Sequence, residues 1–285
     1  VRVKVLQAMT VGATGKPIFE RLKPSKARGQ NFLIQPSLAR RIVEAAELNV
    51  DDEVVEIGAG LGALTDWLVP SPARRVVAVE VDSRLASFLR ERFSATNKVE
   101  VICADFLALD LFELAGRRPI KVVGNLPFCA ATAILLRLGR WRTLISRMVL
   151  MFQREVAERI RAKPGESAYG ALSVISAINF SVVDHFRVSS GNFYPRPKVD
   201  AEVLVMTPKQ HTGTTIGEGL EKLVRASFSC PRKKLRNALS LALKVPSERI
   251  EYWLKEGGID PAARPSDLTL DDFIRLAAVC SGASS

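Results

Sequence analysis

The sequence predicts an α/β fold, a doubly wound seven-stranded Rossmann-like sheet followed by a small C-terminal all-α domain. Three observations carry this. Short runs rich in β-branched residues alternate with stretches of helical period as far as Met206. The first such run opens into Gly58-Ala59-Gly60-Leu61-Gly62 and then a helix, the nucleotide-binding start of a doubly wound sheet. Past a stretch rich in Gly, Thr and Pro, only helical periodicity remains. A chain of 285 residues with 47% hydrophobic and 25% charged residues suits one or two domains with a sizeable core.

The elements follow in order. Residues 1–28 hold seven Lys/Arg against the single acid Glu20, and so supply +6 of the net +11. They read as a mobile basic arm able to touch phosphates, with an organelle transit segment as the alternative; no secretory apolar stretch is present. Gly29-Gln30-Asn31-Phe32-Leu33 precedes a helix that Ser37 is placed to cap, with Leu38, Ile42, Val43 and Ala46 on one face. Glu53–Ile57 is a strand, and the helix after the glycines carries Leu64, Trp67 and Leu68 on one side. Arg75–Val79 and Val99–Cys103 are the next strands, ending at Glu80 and Asp105. Ile120–Gly124 and Met148–Phe152 are buried strands, the latter followed by a helix with Val156, Ala157 and Ile160 inward. Ala168–Asn179 is an apolar helix, and residues 182–188 and 201–205 alternate like the last two strands. The expected organisation is therefore 29–206 as the catalytic domain, 207–219 as linker and 220–285 as the helical domain.

Chemistry concentrates at two places. An acid about 20 residues beyond a glycine turn is placed for two ribose hydroxyls, which is the position of Glu80. Asp105 stands where it can accept from an adenine amino group. The spacing G-x-G-x-G, in place of G-x-G-x-x-G, favours S-adenosylmethionine over a dinucleotide. Asn125-Leu126-Pro127-Phe128, at the end of a buried strand, forms a stiff corner presenting an amide, backbone carbonyls and an aromatic face. That set suits a flat base with an exocyclic amino group, two acceptors taking its N–H bonds while Phe128 stacks. Gly124 lets the backbone turn or approach a ligand closely.

Exclusions are as informative. Cys103, Cys129, Cys230 and Cys280 are scattered with no CxxC pair, which argues against a disulfide framework or zinc site. Only His185 and His211 are available, so His-based triads and metal centres are not expected. No apolar run approaches a membrane span. A pI near 9.8 points to a polyanionic partner.

Four motifs in order, Gly29-Gln30-Asn31-Phe32-Leu33, Glu56-Ile57-Gly58-Ala59-Gly60-Leu61-Gly62, Asn125-Leu126-Pro127-Phe128 and Phe193-Tyr194-Pro195-Arg196-Pro197-Lys198-Val199-Asp200, resemble those of the ribosomal RNA adenine dimethyltransferases of the KsgA type. The likeness runs from about Lys26 to about Ala278 and includes Gly258-Ile259-Asp260-Pro261 with Arg264-Pro265 of a helical C-terminal domain. It implies a sheet of the methyltransferase kind and S-adenosylmethionine as cofactor, lined by Asn31, Leu33, Gly58, Gly60, Glu80, Asp105 and Asn125. It implies dimethylation at N6 of two neighbouring adenosines in a hairpin loop near the 3′ end of small-subunit ribosomal RNA, with the immature small subunit as partner. The chain departs from the family pattern at Phe128, where most bacterial members carry Tyr, and at Cys129-Ala130-Ala131-Thr132-Ala133.

On this reading Asn125, Leu126, Pro127 and Phe128 form the catalytic corner, and Phe128 and Phe193 stack on the two faces of the target base. Arg232, Lys233, Lys234 and Arg236, with Arg137 and Arg140, are the expected RNA contacts, and Arg142 and Arg147 extend the same surface. The protein is expected to be a cytoplasmic monomer, or an organelle protein if residues 1–28 derive from a transit segment. Two other readings stand beside it: a large-subunit dimethyltransferase of the antibiotic-resistance type, and a non-catalytic RNA- or DNA-binding factor on the same fold.

Overall fold

The computed structural model describes residues 22–25, 29–115, 119–209, 218–230 and 232–282. Most of the basic arm, and the linker residues 210–217, therefore lie outside the described residues.

The sheet is built from β2 (Glu53–Ile57), β3 (Arg75–Glu80), β4 (Val99–Cys103), β5 (Ile120–Asn125), β6 (Ile145–Gln153), β7 (Phe180–Val188) and β9 (Ala201–Pro208). Its order is β4-β3-β2-β5-β6-β9-β7. β2 pairs in parallel with both β3 and β5, and β5 with β6, whereas β9 runs antiparallel to β6. The central strands are covered on both faces, which is why Val54, Val55, Val76, Val122, Val123 and Val149 read as unbroken apolar runs. A separate two-stranded ribbon joins β1 (Phe32–Leu33) to β8 (Phe193–Tyr194), in the register Phe32↔Tyr194 and Leu33↔Phe193. Neither strand was foreseen, because two residues carry no period.

Helices follow the strands. α1 (Pro36–Glu44) starts on Pro36, with Gln35 at its cap and no side-chain bond there, so the expected cap by Ser37 is corrected. The proline ring holds the backbone angle that a first helical residue needs, and moves the start two residues earlier. α2 (Thr65–Leu68) is short, and α3 (Ser83–Arg92) is capped by Asp82, whose carboxylate accepts from the Arg84 N–H at 3.1 Å. α4 (Leu111–Ala115), α5 (Ala131–Arg140), α6 (Arg154–Arg161) and α7 (Ala171–Asn179) complete the alternation.

The chain divides into two compact units, one holding the described residues up to Ala157 with Val182–Pro208, the other Glu158–Ser181 with Lys209 onward. The second unit contains α8 (Glu218–Ser227), α9 (Leu235–Leu243), α10 (Ser247–Glu256) and α11 (Leu270–Gly282). Residues 158–181 thus group with these helices and not with the sheet domain in which the sequence reading placed them. α7 explains it: Leu172, Val174, Ile175 and Ile178 are all buried, and the helix packs on α8 and α11. Periodicity shows that a helix is apolar; it does not show whose core it enters.

Candidate active site

The strand order reverses between β2 and β5, the position where doubly wound sheets bind ligands at the carboxyl ends of their strands. A cleft of about 540 Å³, counting its open mouth, lies at those ends. Its floor is the glycine turn. Gly60 has φ +59°, an angle that strains any residue with a side chain, and a Cβ there would sit 3.2 Å from the Phe32 ring, a tight contact. Gly124 does a different job from the one expected of it. A Cβ on it would lie 2.8 Å from the Ile57 carbonyl, so its bareness lets β5 lie against β2, not a ligand against β5.

One wall is acidic. Glu80, buried at the end of β3, accepts from the Gly60 N–H at 2.8 Å through Oε2 and from the Asp82 N–H at 2.9 Å through Oε1. Burial raises its carboxyl above the usual range, and these N–H bonds pull it back. Each oxygen keeps a lone pair, which is what two ribose hydroxyls require. Asp82 is held well below the ordinary carboxylate range, first by the Arg84 guanidinium, whose Nη2 lies 2.7 Å away. Gln30 reaches Asp82 at 3.4 Å and so joins the segment before β1 to the end of β3. Val81, half-exposed, and Leu85 give this wall an apolar surface suited to a purine face.

The other wall is the proline corner. The Asn125 Nδ2 donates to the Asn31 carbonyl at 3.0 Å, which fixes the amide and leaves its oxygen as the acceptor. Leu126, Pro127 and Phe128 line the cleft beside it, and the Ala130 N–H closes a turn on the Pro127 carbonyl at 2.9 Å. Phe128 is half-buried and leans on the core cluster that contains Phe193.

The structure thus brings Asn31, Gly58, Gly60, Glu80, Asn125, Leu126, Pro127 and Phe128 to one cleft. It does not bring Leu33, Phe193 or Asp105. Leu33 and Phe193 are each 3% exposed and face each other across the β1–β8 ribbon, inside the core. This corrects the expectation that Phe193 stacks on a base: apolar residues paired on the inner side of a ribbon are held by burial, with no ring face left open. Asp105 is exposed, and its Oδ1 accepts from the Leu107 N–H at 2.9 Å, capping the turn Phe106–Ala108. Gln30, Val81, Asp82 and Leu85 are cleft or near-cleft residues that the sequence reading assigned no role. An apolar Val81 set between two acids was the available signal.

The expected RNA contacts differ among themselves. Arg232, Lys233 and Lys234 are exposed ahead of α9. Arg236 pairs with Glu251 at 2.8 Å. Arg137 is committed to the fold, donating to the Leu109 carbonyl at 3.0 Å with its guanidinium 4.5 Å from the centre of the Trp141 ring. Arg140 is exposed at the end of α5, whereas Arg147 is tied to the Ala45 carbonyl and to Glu47. Among the described residues no cluster of His, Cys, Asp and Glu is arranged to hold a metal, and no helix is long and apolar enough to cross a membrane.

The profile of the ribosomal RNA adenine dimethylase family matches residues 22–281. The chain belongs to this family. Relatives named ribosomal RNA small subunit methyltransferase A include those of Geobacter metallireducens, 39% identical over 90% of this chain and 95% of theirs, and Geobacter sulfurreducens, 41% identical over 90% and 94%. Among solved structures, a dimethyladenosine transferase from Plasmodium falciparum superposes with a TM-score of 0.69 at 26% identity, covering 85% of this chain and 94% of that one. The 23S rRNA methyltransferase ErmE gives 0.64 at 28%, covering 88% and 100%. The protein is an rRNA adenine dimethyltransferase on a Rossmann-like methyltransferase fold, and S-adenosylmethionine is its methyl donor. The cleft fits that donor in kind, with a bare glycine floor, a carboxylate carrying spare lone pairs and an apolar wall beside it.

Proposed function

We propose that the chain dimethylates N6 of two adjacent adenosines in the 3′-terminal hairpin loop of small-subunit ribosomal RNA, on the immature subunit and in the cytoplasm. The names of the relatives at 39% and 41% identity support the choice of subunit. The observation that carries the catalytic part is the Asn125 amide, held by the Asn31 carbonyl so that its oxygen is free to accept. Asn31, Gly58, Gly60 and Glu80 hold the donor, which supplies an electrophilic methyl group on a sulfonium.

An adenine amino nitrogen is a poor nucleophile, since its lone pair is shared with the ring. The Asn125 Oδ1 and the Leu126 carbonyl accept its two N–H bonds and favour a pyramidal nitrogen with the lone pair free. Acceptors set for that geometry stabilise the transition state more than the ground state. Phe128 stacks on one face of the base, which offsets part of the few kcal/mol needed to unstack it. No strong base is required, because the alkylated nitrogen sheds its proton to solvent. Arg232, Lys233 and Lys234 are assigned to phosphates.

The resemblance to a 23S rRNA methyltransferase keeps the large subunit as the second reading. Incubation with small subunits lacking the modification, and separately with large-subunit RNA, followed by mass mapping of dimethyladenosine, decides between them. Paired dimethyladenosines confined to the small-subunit loop are expected; product on large-subunit RNA alone overturns the assignment.

A further inference from the structure

Glu56 takes no part in the chemistry above and does not line the cleft. It stands mid-sheet, in register with Ala78 of β3 and Val123 of β5, and is 1% exposed. Its Oε2 accepts from the Thr65 hydroxyl at 2.6 Å, and Thr65 is itself fully buried. The glycine turn leaves β2 just after Glu56 and enters α2 at Thr65, so this one bond closes the turn at its base. Higher up, the Leu61 carbonyl accepts from the Arg92 Nη1 at 2.8 Å, while Arg92 Nη2 pairs with Asp66 at 2.7 Å.

The charged groups around Glu56 are mostly committed. Asp66 of α2 is paired with Arg92 of α3, and Glu80 of β3 takes the Gly60 N–H. Lys121 of β5 is bound to Asp52 at 2.8 Å. The cations of α1 are engaged elsewhere, Arg40 with Glu44 and Arg41 over the Phe186 ring at 3.8 Å. Burial pushes the Glu56 carboxyl up to about 8; the Thr65 bond opposes this, and the negative charges of Asp66 and Glu80 add to it. The surroundings therefore favour its protonated form far more than they would for an ordinary surface carboxylate.

We propose that Glu56, through its bond to Thr65, is a positioning residue that holds the glycine turn in its donor-binding shape, and that a negative charge there, buried beside Asp66 and Glu80, draws water into the base of the turn, loosens it and weakens donor binding. The inference rests on the donor lying in this cleft.

The test is titration of the full chain with S-adenosylmethionine, and in parallel with S-adenosylhomocysteine, which lacks the sulfonium charge, from about pH 7 to about pH 9.5. In the unsubstituted protein both dissociation constants are expected to rise together by about fivefold or more as the acid ionises. Glu56→Gln keeps an acceptor for Thr65 and cannot ionise, so its affinity at pH 7 stays within about twofold and its profile is flatter. Thr65→Val is expected to weaken both ligands across the whole range, raising KM for the donor more than it lowers kcat. Identical profiles for the unsubstituted protein and Glu56→Gln overturn the proposal. So does tighter S-adenosylmethionine binding at high pH with S-adenosylhomocysteine weakened, since Glu56 would then act as a charge partner. Glu80→Ala separates the two readings: unchanged donor affinity there unseats the cleft assignment itself, whereas weakened affinity with a flat unsubstituted profile unseats only the role of Glu56.

Discussion

Replacing Asn125 with Ala separates a catalytic role from a structural one by size of effect. In the fold the amide makes one bond, from Nδ2 to the Asn31 carbonyl at 3.0 Å, at a half-exposed position. Losing such a bond costs about 1 kcal/mol of stability, and the carbonyl left behind can turn to water. For a domain of this size that lowers Tm by about 2–4 °C. In the reaction the same residue supplies an acceptor aimed at the transition state, and removing one such group costs about 10²–10³ in kcat. The assay measures single-turnover methylation of unmodified small subunits, donor affinity by titration and Tm on the same preparations. A fall in kcat of about a hundredfold or more is expected, with donor affinity changed by less than about fivefold. If kcat falls by less than about tenfold while Tm drops as described, Asn125 is only a tether for residue 31, and the corner does not polarise the amine.

Phe193→Ala removes a ring from the core, so it is expected to cost about 3–5 kcal/mol in denaturant unfolding and to weaken base capture and donor binding together; loss of base capture alone would restore a stacking role. Reversing the charges of Arg232, Lys233 and Lys234 should lower RNA affinity and flatten its dependence on salt by about two in the log–log slope. An unchanged slope removes the cluster from the interface. Stability should fall as pH rises between about 4.5 and about 8, because the folded state holds the Glu56 proton that the unfolded chain has already released. That stability is complete below the unfolded value and is gone above the folded one, a loss on the order of several kcal/mol. Glu56→Gln should show a shallower fall in urea unfolding across that window, with Glu80 and Asp66, both also raised, accounting for what slope remains.

The sequence alone determined the features that depend on local period and short spacing. β-branched runs mark β2 to β6 because a strand buried on both faces needs apolar residues throughout, whatever its neighbours. Gly60 was legible as turn floor, and Glu80 as its acid, because a strand, a tight turn and a short helix set their separation. The proline corner was legible because Pro127 restricts Leu126 directly. Only the tertiary structure decided what depends on residues far apart. Leu33 and Phe193 meet across a ribbon whose strands lie far apart along the chain, and no local pattern records that register. The close approach of Gly124 to Ile57, the Asn31–Asn125 tether and the Glu56–Thr65 bond were hidden for the same reason. Asp105 is a further case: its Oδ1 accepts the Leu107 N–H and caps the turn that follows, a local bond that spacing from the glycines does not record. Spacing along a chain constrains where a side chain begins, whereas packing decides what it touches.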